Sequence, residues 1–426
     1  MRGRCGSGDV PSVTSVRRVP WRSWVEEEVE ERAMALLHRG QKGQSNAMSS
    51  TAELTKPRLD EAQATELIVR LYGLGVERLA PLDSYDDQNF RVATIDGAEW
   101  VLKVTNTRES RNQEVLEVQT RVMMFLKDGG FPTQTARLTV HGDLMSLQRI
   151  DCGEGEKEFN VRLLTYLPGV PLSTVLADGS LYYQVGKLAA SIHQALQQFE
   201  HPFLRFLQRD DFIWNLSNTH LLEAYLFALD GDPNQGLVRE VIAKFREEIQ
   251  PNLHKFTRCI VHGDLNDHNI LVEETGPTPA VQSSETGEHA AGGQYKLSGV
   301  LDFNDMMQGY CVYDIAMAVM YMMIESSRPM DVGGHIMAGY ESVRPLTEDE
   351  REAVYWLVAS RFCQSLVLAR YTILQHPENA DYLLTTARTG WERLRRLWAT
   401  GREAMQRLWS DVAARHENTD SLAPTN

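Results

Sequence analysis

Three polar residues, spaced along the C-terminal half of the chain, have the types needed to move a phosphoryl group. In Val261-His262-Gly263-Asp264-Leu265-Asn266-Asp267-His268-Asn269-Ile270-Leu271-Val272, an aspartate is followed five residues later by an asparagine, directly before an apolar run. Thirty-three residues beyond Asn269, Val300-Leu301-Asp302-Phe303-Asn304 offers a second acid at the end of another apolar run. Phosphoryl transfer needs a carboxylate to take or orient the hydroxyl proton, and oxygen ligands to hold Mg²⁺ against the phosphates. Asp264 suits the base. Asn269 and Asp302 suit the metal, the asparagine as a neutral amide oxygen that needs no deprotonation. Upstream, Lys103 closes the run Glu99-Trp100-Val101-Leu102-Lys103-Val104, from which an ammonium can reach donor phosphates. Alone, such a lysine reads more simply as an edge-strand charge; the downstream set reverses that preference.

The spacing carries the signal, because the chain contains a decoy. His141-Gly142-Asp143 repeats the tripeptide, but the residue five beyond Asp143 is Gln148 and no second acid follows at a strand end. It is predicted to be a hairpin turn.

The elements that must position these residues fall into two classes. Residues 58–73 have helical spacing, with Asp60 at the N-cap position. Residues 88–94 and 99–104, joined by Asp96-Gly97, predict a hairpin. Residues 109–127 predict a helix that stops at Gly129-Gly130, and 138–140, 147–150 and 161–166 predict further strands. Beyond Pro171 the pattern turns helical over 181–199, 221–229, 238–253, 313–324, 348–374 and 382–409, with two short strands at 270–272 and 297–301. The expectation is an α+β fold: an extension expected to be disordered is set apart over 1–47, a small antiparallel-sheet lobe with one packed helix spans 48–167, and a larger, mainly helical lobe spans 168–426. An insert at about 274–294, rich in Gly, Pro, Ser and Thr, is expected to be a disordered surface loop.

The bulk composition narrows the function classes. Of 426 residues, 42% are hydrophobic and 24% charged, as in globular proteins. A net charge of -15 argues against the basic face that nucleic acid needs. The longest apolar stretch, 315–324, is too short to span a bilayer, so no membrane role is expected. The five cysteines stand singly, which suggests neither a disulfide framework nor a zinc site and fits a reducing, cytoplasmic setting. The arginine-rich start (Arg2, Arg4, Arg17, Arg18, Arg22) leaves a mitochondrial address open. No protein partner is predicted.

His262-Gly263-Asp264 with Asn269, Asp302 and Gly309-Tyr310-Cys311-Val312-Tyr313-Asp314 resembles the aminoglycoside phosphotransferase-like branch of the protein-kinase-like fold, which also holds choline and homoserine kinases. Longer pieces are similar to the hydroxylysine kinases: Ser84-Tyr85-Asp86-Asp87-Gln88-Asn89-Phe90, Arg162-Leu163-Leu164-Thr165-Tyr166-Leu167-Pro168-Gly169, 262–269 and Arg361-Phe362-Cys363-Gln364-Ser365-Leu366. That likeness runs from about Met48 to the end. It implies a two-lobe kinase fold and Mg²⁺-assisted transfer of the γ-phosphoryl of GTP to the side-chain hydroxyl of 5-hydroxy-L-lysine, in lysine and collagen breakdown. It also implies a hinge of Leu164, Tyr166 and Leu167 around the purine. ATP stays open as donor, and no spacing reveals the acceptor.

Two departures from the family pattern stand out. Ser84 to Asn89 occupies the turn where protein kinases carry a Gly-rich loop, and Asn304 stands where they have a glycine. Glu117 is the preferred helix partner of Lys103, with Glu114 on the same face, although counting back from Gly130-Phe131-Pro132 lands on Gln119. For the amino-acid substrate, Asp267 and Asp305 are candidates for ammonium groups and Arg361 for an α-carboxylate. The plainer alternatives are caps for the two acids and a helix-helix ion pair for the arginine. Another alcohol kinase of this fold is the runner-up function. A pseudokinase binding module is disfavoured because Lys103, Asp264, Asn269 and Asp302 are all present.

Overall fold

Asp60 caps the first helix as its position predicts. Its carboxylate accepts the Gln63 N–H at 2.8 Å while the Gln63 side chain accepts the Asp60 N–H at 3.0 Å, a reciprocal pair that satisfies donors no helical carbonyl can reach. The computed structural model describes residues 54–84, 86–153, 155–276, 294–375 and 387–420. The extension at 1–47 and residues 277–293 of the expected insert lie outside them.

Helix α1 (Glu61–Tyr72) leads into β1 (Val76–Leu82), β2 (Gln88–Thr94) and β3 (Glu99–Val104). Helix α2 (Gln113–Asp128) follows a single 3-10 turn, then come β4 (Ala136–Arg137), β5 (Ser146–Asp151) and β6 (Glu156–Thr165). The sheet order is β1-β2-β3-β6-β4, with β5 also on β6 and every pairing antiparallel. Leu67, Ile68 and Leu71 of α1 share a core with Phe90, Val92, Leu102, Val104, Phe159, Val161 and Leu163, so the opening helix covers one sheet face. The strand predicted at 138–140 is absent. Thr139 N–H bonds to Asp143 O at 2.8 Å and Gly142 N–H to Thr139 O at 3.0 Å, so the decoy tripeptide closes a tight turn and the strand stops at Arg137.

The second lobe begins with β7 (Val170–Pro171) and α3 (Gly179–Leu196). The expected helix at 221–229 is part of a longer 3-10 stretch, Leu216–Leu229. Then follow α4 (Gln235–Lys244), β8 (Arg258–Val261), β9 (Ile270–Glu274), β10 (Tyr295–Val300) and β11 (Met307–Tyr310). The remaining helices are α5 (Cys311–Glu325), α6 (Val332–Glu341), α7 (Glu348–Gln375), α8 (Ala387–Thr400) and α9 (Arg402–Asp420). The helix expected over 382–409 is broken at Gly401, whose φ of 80° lies in the left-handed region. None of the helices among the described residues is long and apolar enough to cross a membrane.

Strand pairing in this lobe brings the site together. β9 pairs with β10 through Ile270↔Val300, and β8 pairs with β11 through Val261↔Met307. The chain therefore crosses from one ribbon to the other twice, and the two crossing segments, 262–269 and 301–306, lie side by side. A further tie joins the lobes: Val300 N–H bonds to Pro132 O at 2.8 Å, just beyond α2.

Candidate active site

The segment 262–269 is held from beneath by Asp314, in the first turn of α5. One carboxylate oxygen accepts the His262 N–H at 2.8 Å and the other accepts the Gly263 N–H at 3.0 Å. His262 Nε2 donates to Leu301 O at 2.9 Å, and its Nδ1 accepts the Asp264 N–H at 3.3 Å, which joins the two loops. Gly263 has φ 82°, and a Cβ there would lie 2.2 Å from Asp305 O, so only glycine fits. These constraints aim Asp264. Its Oδ1 accepts from Arg361 at 3.0 Å; its Oδ2 accepts from Asn266 at 2.8 Å and Asn269 at 3.1 Å. A quarter of the side chain stays exposed (25%). Asn269 Nδ2 donates as well to Asp264 O at 3.0 Å, which turns its Oδ1 away from Asp264 and leaves it able to meet a hard cation.

Asp302, near the start of the second loop, has φ 55°, the one non-glycine positive φ among the described residues. Such backbone costs about 1–3 kcal/mol and persists where surrounding contacts enforce it. Its Oδ1 lies 3.4 Å from Lys103 Nζ, and 43% of the side chain is exposed. Lys103 also meets Asp87 at 3.2 Å. Burial acts to lower the Lys103 pKa, but the Asp302 and Asp87 carboxylates outweigh it and hold the ammonium above its usual value. Desolvation likewise acts to raise Asp302, and Lys103, the Asn304 N–H and His262 together overcome it, so this carboxylate sits below its usual range.

Asp87 had no assigned role in the sequence, yet it organises this corner. Its Oδ1 accepts from Asn106 N–H at 2.9 Å, and its Oδ2 accepts from Asn304 Nδ2 at 3.0 Å. Asn304 Oδ1 accepts from the buried Arg162 at 3.2 Å, and Asn304 O accepts from Gln119 at 2.6 Å and Arg209 at 2.9 Å. Arg162 faces Lys103 directly across β6 and β3, so two buried cations share Asp87 and Asp302 as counter-ions. The signal for Asp87 was available in register. Asn89 pairs with Lys103, and Asp87, two residues before Asn89 and just ahead of β2, falls on the same side by the strand's alternation.

Known proteins decide what this site belongs to. A family model described as "Phosphotransferase enzyme family" matches residues 78–281. A hydroxylysine kinase of Danio rerio is 49% identical over 364 residues, covering 85% of this chain and 98% of that protein. The chain belongs to the hydroxylysine kinase family. The hydroxylysine kinase of Mus musculus is 46% identical over 374 residues, 86% of this chain and 96% of that protein. An amicoumacin kinase solved with AMP-PNP and Ca²⁺ shares the fold, with a TM-score of 0.53 at 16% identity, over 79% of this chain and 94% of that one. This member of the family is a small-molecule kinase, a phosphotransferase acting on an alcohol group. The two-lobe α+β architecture expected from sequence is the one observed.

Against that frame of a kinase site, two expectations need correction. The ion pairs of Lys103 are with Asp87 and Asp302, while Glu117 lies 4.0 Å from Arg121, one turn along its own helix. The α2 residue turned toward the site is Gln119, because α2 presents it, not Glu117, to Asn304. Arg361 does not stand free to clamp a carboxylate. It is 1% exposed, and besides Asp264 it donates to Tyr321 Oη at 3.2 Å and Trp214 O at 3.3 Å, with the Trp214 ring 4.9 Å from its guanidinium carbon. It is a bridge from α7 to Asp264, which gives the buried guanidinium a counter-ion and orients the carboxylate together.

The other sequence candidates surround these groups. Asp267 is buried; its carbonyl accepts the Ser173 N–H at 3.1 Å, and burial pushes its carboxyl up to about 6. Burial, and then the Asp264 carboxylate, push Asp305 up to about 8 against the pull of Arg209. Of the residues expected to form the hinge, Leu164 is buried opposite Val101, the Tyr166 N–H bonds to Glu99 O at 3.2 Å, and the Arg91 guanidinium stacks 4.1 Å over the Tyr166 ring. Leu167 lies against Gly299 of β10.

Asp314 itself rests on a second ion pair, with His193 Nε2 at 2.8 Å. Burial acts to lower His193, but Asp314 and Cys311 together outweigh it and raise the ring to about 9. The folded pKa thus exceeds the unfolded value of about 6.5. The stabilisation from the charged ring among Asp314 and Cys311, on the order of 3 kcal/mol from the displacement, is complete below pH 6.5 and lost as pH rises through about 9. Thermal melts from pH 6 to pH 10 should show the native chain losing its advantage over His193→Gln across that window. A gap that stays constant with pH would contradict a charged His193.

Proposed function

We propose that this kinase transfers the γ-phosphoryl of GTP to the side-chain hydroxyl of 5-hydroxy-L-lysine, in a reducing, cytoplasmic setting. The reading rests on one convergence. Asp264, Asn269, Asp302 and Lys103 meet at one site, in a chain that spans nearly the whole of relatives named for that acceptor.

Asp264 is the base. Its Oδ1 is held by Arg361, and the partly exposed carboxylate takes the acceptor's hydroxyl proton as the oxygen attacks phosphorus. Lys103, kept charged by Asp87 and Asp302, binds the donor's phosphates and draws negative charge from the leaving nucleoside diphosphate. Asn269 Oδ1 and the Asp302 carboxylate, one neutral and one anionic oxygen donor, suit Mg²⁺, which when bound neutralises charge on the transferring group. Leu164, Tyr166 and Leu167 line the purine. Asp267 and Asp305 receive the substrate's ammonium groups: burial pushes both carboxyls up, so an arriving cation stabilises their charged form.

A screen of donors and acceptors tests this. With GTP, 5-hydroxylysine should give a kcat/KM at least about tenfold above choline, homoserine or an aminoglycoside, and ATP should be the poorer donor. Lysine, which lacks the hydroxyl, should release no nucleoside diphosphate above background. Faster turnover of choline or homoserine would overturn the acceptor, and preference for ATP would overturn the donor.

A further inference from the structure

Three side chains that phosphoryl transfer leaves unused meet behind the segment 262–269. Cys259 on β8, Cys311 at the start of α5 and His193 on α3 bring two sulfurs and an imidazole nitrogen within 4.8 Å of one another. Among the described residues no other three His, Cys, Asp or Glu side chains are gathered in this way. The cysteines stand singly in sequence, and register unites them. Cys259 pairs with Gly309 across β8 and β11, the chain reaches Cys311 two residues later, and the Cys311 N–H bonds back to Thr257 O at 3.0 Å. Cys311 and His193 are buried, while Cys259 is half-buried and gives a route of entry.

We propose that Cys259, Cys311 and His193 form a binding site for a soft divalent metal of the zinc class. Zn–S distances of about 2.3 Å and Zn–N distances of about 2.0–2.1 Å set tetrahedral ligand atoms about 3.5–3.8 Å apart, a small contraction of the observed group. Tyr340 Oη, 3.0 Å from His193 Nδ1, or a water supplies the fourth position. Asp314 on His193 Nε2 is the kind of carboxylate that orients a metal-binding imidazole. The surroundings also prepare a thiolate: Arg344 donates to Cys311 Sγ at 3.2 Å. A hydrogen bond with Cys259, helped by His193 and opposed by burial, brings the Cys311 thiol down to about 5. A metal replaces the Cys259 thiol proton and the extra proton on His193, so binding releases protons to solvent.

The test uses the full chain, reduced and stripped with a chelator, and does not depend on the kinase reading. Titration with Co²⁺ should give one equivalent of binding with thiolate-to-cobalt charge-transfer absorption in the near ultraviolet, and Zn²⁺ should abolish that band by competition. Zn²⁺ should also raise the Tm. Cys259→Ser should lose the band and weaken binding at least about tenfold, and the milder Cys259→Ala should do the same if the serine variant folds poorly. Cys152→Ser, away from the group, should keep both. Absence of the band in the native chain, or an equal band in Cys259→Ser, would overturn the site; Co²⁺ uptake without thiolate absorption would count against it equally.

Discussion

Asp264→Ala is expected to lower kcat by about 10²–10⁴-fold, the range a positioned general base contributes, while nucleotide affinity changes by less than about threefold. The asymmetry follows from the geometry. Asp264 bonds to Arg361, Asn266 and Asn269, whereas Lys103 is held by Asp87 and Asp302 and keeps its charge and place without it. Removing the carboxylate strips the acceptor hydroxyl of its proton acceptor and leaves the donor side intact. Asp264→Asn separates charge from shape, because an amide oxygen can still accept from Arg361 but cannot take the proton. Steady-state kinetics with both substrates and equilibrium nucleotide titration read the two effects. A kcat within a few-fold of the native chain would remove Asp264 from the chemistry.

Arg361→Met should also be severe, in a way that distinguishes two roles for the arginine. Methionine replaces much of the apolar stem, but Asp264 loses the donor at 3.0 Å that fixes its orientation. A small displacement of a reacting group can cost about 10²-fold in rate, so kcat should fall by that order while KM for the amino acid stays near native. Breaking a buried ion pair costs about 3–5 kcal/mol, and the partial exposure of Asp264 puts the expected loss at the lower end. The Tm reads it. If Arg361 instead clamped a substrate carboxylate, KM would rise and kcat would hold.

The legible parts of this protein were those written in local spacing. The hairpin at Asp96-Gly97, the Asp60 cap and the set of Asp264, Asn269 and Asp302 each depend on residues close in sequence or on a repeated strand-end pattern. The decoy at His141 was separable for the same reason. The helix α6 escaped because Gly333, Gly334 and Gly339 dilute its periodicity, and β8 and β11 because four-residue strands carry little pattern. Arg361 was assigned to the substrate because nothing local says that α7 delivers it to Asp264, 97 positions away. Asn304 reads in sequence only as a missing glycine; that its side chain joins Asp87 to Arg162 depends on contacts across 217 and 142 positions. Long-range polar pairing is set by packing of whole elements, which single-sequence patterns do not encode.

The most direct measurement is the identity of the product. Purified chain incubated with GTP, Mg²⁺ and 5-hydroxy-L-lysine should yield, by mass spectrometry and phosphorus NMR, the amino acid carrying one phosphoryl on its side-chain oxygen. GDP should form in equal amount, and Asp264→Ala should form neither product at a comparable rate. GDP released without phosphorylated amino acid, or phosphate found on an amine or carboxylate, would contradict phosphoryl transfer to the hydroxyl.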